Sequence, residues 1–219
     1  FYGSFGQGYL GSQLSTAGDV DGDGLDDILF SQINGADYAG LVYLFLGSSL
    51  SSPGVIDVTT ADIIFEGEVG GGSLTGDRLG GALSTAGDVD GDGLDDILLG
   101  AASADVDVVS NAGKSYLVLG SSLSGTGVFD VSTSDVIFTG EVTSENAGTY
   151  VSTAGDVDGD GLDDILISAS SYANLTGRTF LVLASSLDFT GSTELINSDY
   201  IFVGDSGFWS SGETALSVG

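Results

Sequence analysis

The chain has 219 residues, of which 32 are acidic and three basic (Arg78, Lys114, Arg178), for a formal charge of -29. Such a surface repels a phosphate backbone and an anionic bilayer alike, so neither nucleic acid nor membrane insertion is expected. With no cysteine and no histidine, a disulfide framework, thiolate metal sites and the common nucleophilic triads are excluded.

Disorder is not expected despite the acidity. Hydrophobic residues make up 42% of the chain and its mean hydropathy is positive, enough for one large β domain or two smaller ones.

In chain order, residues 1–11 (FYGSFGQGYLG) carry no basic region or apolar core, so no signal peptide is expected there. Their GQGYLG satisfies GxGxxG, but a dinucleotide loop needs a strand before it and a helix after it. The segment reads instead as the end of a preceding repeat. Residues 12–66 then offer four β-like runs, Ser12–Ala17, Asp27–Ser31, Leu41–Leu46 and Asp62–Phe65, separated by Gly, Ser and Asp clusters. Leu41–Leu46 is the longest apolar run, far short of a bilayer span.

Residues 67–140 and 141–203 repeat that order. The fifteen residues STAGDVDGDGLDDIL stand at Ser15–Leu29, Ser84–Leu98 and Ser152–Leu166 without a substitution, in steps of 69 and 68 residues. Residues 67–140 open on the glycine-rich Gly70–Gly76, a loop insertion with no lysine to cradle phosphate. Residues 204–219 align with the opening strand of a further unit, GETALSVG matching GGALSTAG. Three full units plus that strand suggest a window cut from a longer array, or a subunit that needs partners.

Four short strands at a fixed period predict an all-β fold of β-propeller blades, each of four antiparallel strands. The blades are 12–66, 67–140 and 141–203. A β-solenoid is the other reading, but its repeats usually run to roughly 20–30 residues.

The fifteen-residue stretch spells D-x-D-x-D-G-x-x-D. Alternate aspartates on a curled loop point to one centre, the glycine at position six allows the turn, and a carbonyl at position seven fills a gap. An all-oxygen anionic cage suits Ca²⁺, which takes 6–8 oxygens, better than Mg²⁺. The expected ligands are Asp19, Asp21, Asp23 and Asp27 with the Leu25 carbonyl. In the second unit they are Asp88, Asp90, Asp92 and Asp96 with Leu94, and in the third Asp156, Asp158, Asp160 and Asp164 with Leu162. Position twelve holds Phe30, Leu99 or Ile167 rather than glutamate, and the flanks are strands, which excludes an EF-hand. Asp26, Asp95 and Asp163, at position eight, are expected to face solvent.

LGGALSTAGDVDGDGLDDILLGAA (Leu79–Ala102) resembles the FG-GAP repeat of integrin α-subunit propellers and of many bacterial surface proteins. Leucine stands for the phenylalanine of that pattern and alanine for its proline. Units one and three depart further, with FSQ and SAS where glycine-alanine-proline would stand. The resemblance implies a propeller whose calcium loops join the first two strands of each blade on one face. Ligand-binding loops of such relatives lie on the opposite face, and no ligand-reading residue carries over.

Glu66, Glu68, Glu141 and Glu145 read as solvated loop charge rather than as a glycosidase pair. Asn174 begins a glycosylation sequon in a secreted eukaryotic protein, and Trp209 and Tyr2 read as blade packing. No catalytic residue is expected. The functions in play are an extracellular, calcium-stabilised scaffold for adhesion, surface-layer or filament assembly; a protein- or glycan-binding module of a larger secreted enzyme; and a lyase or hydrolase, which the missing histidine and scarce cations disfavour. The stretch from Phe202 to Gly219 is expected to leave the third blade and complete a neighbouring unit, either the next repeat or another copy of the chain.

Overall fold

A computed structural model describes residues 9–69, 76–189 and 191–205. The first half of the GQGYLG motif, the Gly70–Gly76 insertion up to residue 75, Tyr2, Trp209 and the Gly212–Gly219 opening strand lie outside them.

The fold is all-β. The first unit gives β1 (Leu10–Gly18), β2 (Asp27–Gln32), β3 (Leu41–Phe45) and β4 (Ile63–Glu66). In the second come β5 (Ala82–Gly87), β6 (Asp96–Ala101), β7 (Lys114–Val118), β8 (Gly127–Asp130) and β9 (Val136–Thr139). The third has β10 (Ala147–Gly155), β11 (Asp164–Ala169), β12 (Arg178–Val182), β13 (Gly191–Glu194) and β14 (Tyr200–Val203). Among the described residues the longest helix is the single turn Tyr172–Leu175. None is long and apolar enough to cross a membrane.

Each blade is an antiparallel meander, β1-β2-β3-β4, β5-β6-β7-β9 and β10-β11-β12-β14. Two blades carry something the sequence reading missed. The segment β8, from the second unit, adds a fifth strand in parallel to β4, pairing Ile64 with Val128 and Phe65 with Phe129. In the same way β13, from the third unit, lies parallel to β9. A blade of four antiparallel strands is therefore completed by a parallel strand from the unit that follows it.

Strand β14 also corrects the reading of the C-terminal region. Phe202 and Val203 stay in the third blade, paired with Thr179 and Arg178 of β12. The apolar run YIFV finds a ladder there and has no reason to leave.

Period-2 alternation builds the core, because successive side chains of a strand point to opposite faces. In the middle blade every residue of β6 is buried. Ile97, Leu99, Tyr116 and Val118 pack toward the first blade against Leu29, Leu44 and Phe65. Leu98, Leu117, Val136 and Phe138 pack toward the third blade against Val151, Ile165, Ile167 and Phe180. Sheets covered on both faces read as nearly continuous apolar runs, which is how DILLGA and SYLVL are spelled.

Candidate metal centres

The repeated stretch forms the loop between the first two strands of each blade. Position six takes a left-handed backbone, with φ of 88° at Gly24, 89° at Gly93 and 96° at Gly161, where an L side chain would be strained. The first aspartate gathers the turn. Asp19 accepts from the N–H groups of Gly22 (2.8 Å), Asp23 (3.0 Å) and Gly24 (2.9 Å). Asp88 accepts from Gly91 and Gly93, and Asp156 from Gly159, Asp160 and Gly161.

The ninth residue is the anchor. Asp27, Asp96 and Asp164 are wholly buried. Asp27 accepts from Val20 N–H at 3.0 Å and from Gly47 N–H at 2.7 Å, tying the loop to the end of β3. Asp96 does the same with Val89 and Gly120, and Asp164 with Val157 and Ala184.

In each loop three carboxylates meet: Asp19, Asp21 and Asp27; Asp88, Asp90 and Asp96; Asp156, Asp158 and Asp164, with one oxygen of each within 4.8 Å of the others. The fifth position is not in that trio. Asp23, Asp92 and Asp160 instead accept from the N–H groups of Leu25, Leu94 and Leu162 at 2.8–2.9 Å. Burial, with Asp90 and Asp92 adding repulsion, raises the Asp96 carboxyl to about 7. Burial likewise raises Asp27, with repulsion from Asp21 and Asp19 adding to it. Among the described residues no ion pair reaches these loops, since Lys114 and Arg178 are engaged elsewhere. An all-oxygen trio lacking a protein cation fits a hard divalent cation, which would reverse these upward shifts.

Position eight overturns its solvent-facing reading in two loops of three. Asp95 accepts from Asp19 N–H at 2.8 Å and returns its own N–H to Asp19 C=O at 3.1 Å. Asp163 holds Asp88 in the same two-way fashion, at 3.1 and 3.0 Å. Each is a clasp on the loop of the preceding blade. Only Asp26 is left facing solvent.

Of the four glutamates read as solvated loop charge, Glu66 is exposed, whereas Glu68, Glu141 and Glu145 are engaged. Glu145 is 1% exposed and meets Arg178, itself 3% exposed, at 2.5 Å. Glu141 joins that guanidinium at 3.5 Å and accepts from Ile196 N–H. The guanidinium also lies over the Tyr172 and Phe180 rings, 4.2 and 4.7 Å from their centroids. In the second unit Glu68 accepts from Lys114 Nζ (2.8 Å) and Tyr116 Oη (2.9 Å). Buried Asp77 stands nearby, its carboxyl raised to about 6 by burial and held back by Lys114. Lys114 and Arg178 begin equivalent strands. In the first unit that position is Leu41.

Residues 79–118 and 148–181 match the FG-GAP repeat. The chain carries FG-GAP repeats. Each matched span runs through the first three strands of a blade and contains its aspartate loop. Residues 10–46 share the loop spelling and strand order of the two matched spans. The FG-GAP repeat is a β-propeller-type repeat. No curated protein matches the chain.

Proposed function

We propose that this FG-GAP protein is a non-enzymatic, calcium-stabilised scaffold of the extracellular space, used in adhesion, surface-layer or filament assembly. The observation that carries the reading is the threefold convergence of carboxylates at one place in the blade. Asp19/Asp21/Asp27 and their two counterparts bring like charge together at the junction of two strands. A cation held there turns that repulsion into a cross-link between the strands, once per blade. Asp23, Asp92 and Asp160, with the carbonyls of Leu25, Leu94 and Leu162, complete the ligand set. Calcium is the choice because extracellular modules bind it at about 10⁻⁴–10⁻³ M, matching the supply there.

The absence of histidine and cysteine supports a structural role, as does the commitment of the best-clustered carboxylates to the loops. The residual negative charge favours solubility in a salty exterior. Calorimetric titration of the metal-stripped chain tests the reading. It predicts three equivalents of Ca²⁺ with Mg²⁺ binding more weakly. Fewer than one equivalent at millimolar Ca²⁺ would overturn it.

A further inference from the structure

Among the described residues, two blades are completed by the unit that follows them, and the third is not. Phe65 and Phe138, in β4 and β9, are wholly buried. Their counterpart Phe202 in β14 is 56% exposed, and Tyr200 is 54% exposed where Ile63 and Val136 are buried. Among the described residues β14 pairs with β12 alone, leaving its other edge bare. An apolar open edge is a template for strand addition.

The matching donor is on the same chain. Strands β8 (GVFD) and β13 (GSTE) stand at the position that Gly54–Asp57 (GVID) occupies in the first unit. Among the described residues Gly54–Asp57 pairs with no strand, and its Val55 is fully exposed. Where the donor is docked, Phe129 packs on Phe65 at 5.4 Å between centroids. In the undocked copy the residue matching Phe129 is Ile56, 45% exposed.

The loops carry a second pair of complementary halves. Asp95 and Asp163 clasp the preceding loop, whereas Asp26 is exposed and, among the described residues, clasps none. At the other end, among the described residues, no position-eight aspartate clasps Asp156. Leu94 and Leu162 lie against Gly22 and Gly91, whose added Cβ atoms would stand 2.9 and 3.0 Å from them. Gly159 has nothing within 4 Å, while Leu25 is 51% exposed.

We propose that a second copy of this chain docks head-to-tail, adding its Gly54–Asp57 in parallel to the open edge of β14 and clasping the Asp156 loop with its Asp26. The register follows the two internal examples: Gly54 opposite Tyr200, Val55 opposite Ile201, Ile56 opposite Phe202 and Asp57 opposite Val203. The contact is heterologous, so successive copies form a ring or a filament. It gives the proposed scaffold its mode of assembly, but it does not depend on the metal.

Cysteine pairing in this cysteine-free chain tests the register, since paired strands bring Cα atoms within disulfide reach. Full-length V55C and I201C chains, mixed under mild oxidation at about 0.15 M salt or above to screen the like charges, are expected to give a heterodimer. A mixture of V55C with V108C, Val108 being an exposed control, should give several-fold less. Equal cross-linking in the two mixtures, or none in either, overturns the proposal. Light scattering gives the second measurement: the wild-type mass should rise with concentration, while F202D, altered at an exposed site, should remain a single chain. A wild-type chain that stays monomeric over the same range also overturns it. Each experiment is run in EDTA and in calcium. Cross-linking that persists in EDTA supports the docking even where calorimetry finds no calcium; three bound Ca²⁺ without cross-linking sinks the docking alone.

Discussion

The two ends of the second and third blades handle buried negative charge in opposite ways. At the end where β6 begins, Asp88, Asp90 and Asp96 converge with no cationic side chain among them. At the end where β6 finishes, beside Lys114 and Ala101, Glu68 and Asp77 are met by Lys114. Arg178 answers Glu141 and Glu145 likewise in the third blade. Two of the chain's three basic residues are thus spent at the far end. The loop end is spelled identically three times and has none, as a site does when its cation comes from outside.

The most direct way to break this contrast is to remove the outside cation. A site occupied at a hundredfold excess over its dissociation constant gains about 2.7 kcal/mol. Three such loops in a chain of this size correspond to a melting temperature about 15–30 °C higher in 10 mM calcium than in EDTA. Differential scanning calorimetry measures the shift. Equal melting temperatures would mean that the loops are held by their backbone hydrogen bonds alone.

The second test strikes the far end. Replacing Arg178 with alanine leaves Glu145 buried without a partner, and breaking such a pair costs about 3–5 kcal/mol. Arg178→Lys keeps the charge but loses the fork between the two glutamates and the stacking on Tyr172, so its loss should be smaller. Chemical denaturation reads both, and the deficit should be the same with and without calcium. A deficit that calcium repairs would mean that the two ends are not independent.

A pH series sharpens the contrast further. The Asp77 carboxyl is raised to about 6, so the folded chain holds that proton more tightly than the unfolded chain, whose value is near 3.8. Its contribution is therefore full below about pH 4 and is lost as pH rises through about 6. The stability difference between wild type and Asp77→Asn should shift by at most about 2 kcal/mol across that window, to the disadvantage of wild type. Asp96, raised to about 7 by burial, should add a similar fall at higher pH in EDTA, and calcium should abolish that fall but not the one from Asp77. Denaturation midpoints measured from pH 4 to 8 decide it.

Much of this was legible in the sequence, and the remainder was hidden for specific reasons. Strand positions followed from runs such as LVYLF and DILL, where glycine-rich punctuation and apolar content agree. The aspartate loops followed from the spacing of Asp19, Asp21, Asp23 and Asp27 around Gly24, although only Asp19, Asp21 and Asp27 come together in the trio. The parallel strands β8 and β13 did not, because GVFD and GSTE share little beyond glycine and an acid, and their partners lie 64 and 55 residues away in sequence (Ile63 with Gly127, Val136 with Gly191). The far-end clamps were masked as well: Lys114 and Arg178 replace Leu41, and the acids that meet them sit at different distances along their connectors. A single unit compared with itself cannot reveal a contact made between units.

Position eight is where that limit is sharpest, and it supplies the smallest effect. Asp26, Asp95 and Asp163 sit in identical fifteen-residue surroundings, so local sequence assigns all three one role. The structure separates them by whether they reach another loop among the described residues. Asp95 and Asp163 each accept a backbone N–H across the blade boundary, a charge-assisted bond at a partly exposed site worth about 1 kcal/mol. Asp95→Ala and Asp163→Ala should each lose that amount, whereas Asp26→Ala in dilute solution should lose nothing measurable. Hydrogen exchange gives the local readout, with the Asp19 and Asp88 amides losing protection in Asp95→Ala and Asp163→Ala respectively. Equal effects at all three positions would return them to solvated charge, and the clasp between loops would be no part of what holds one blade to the next.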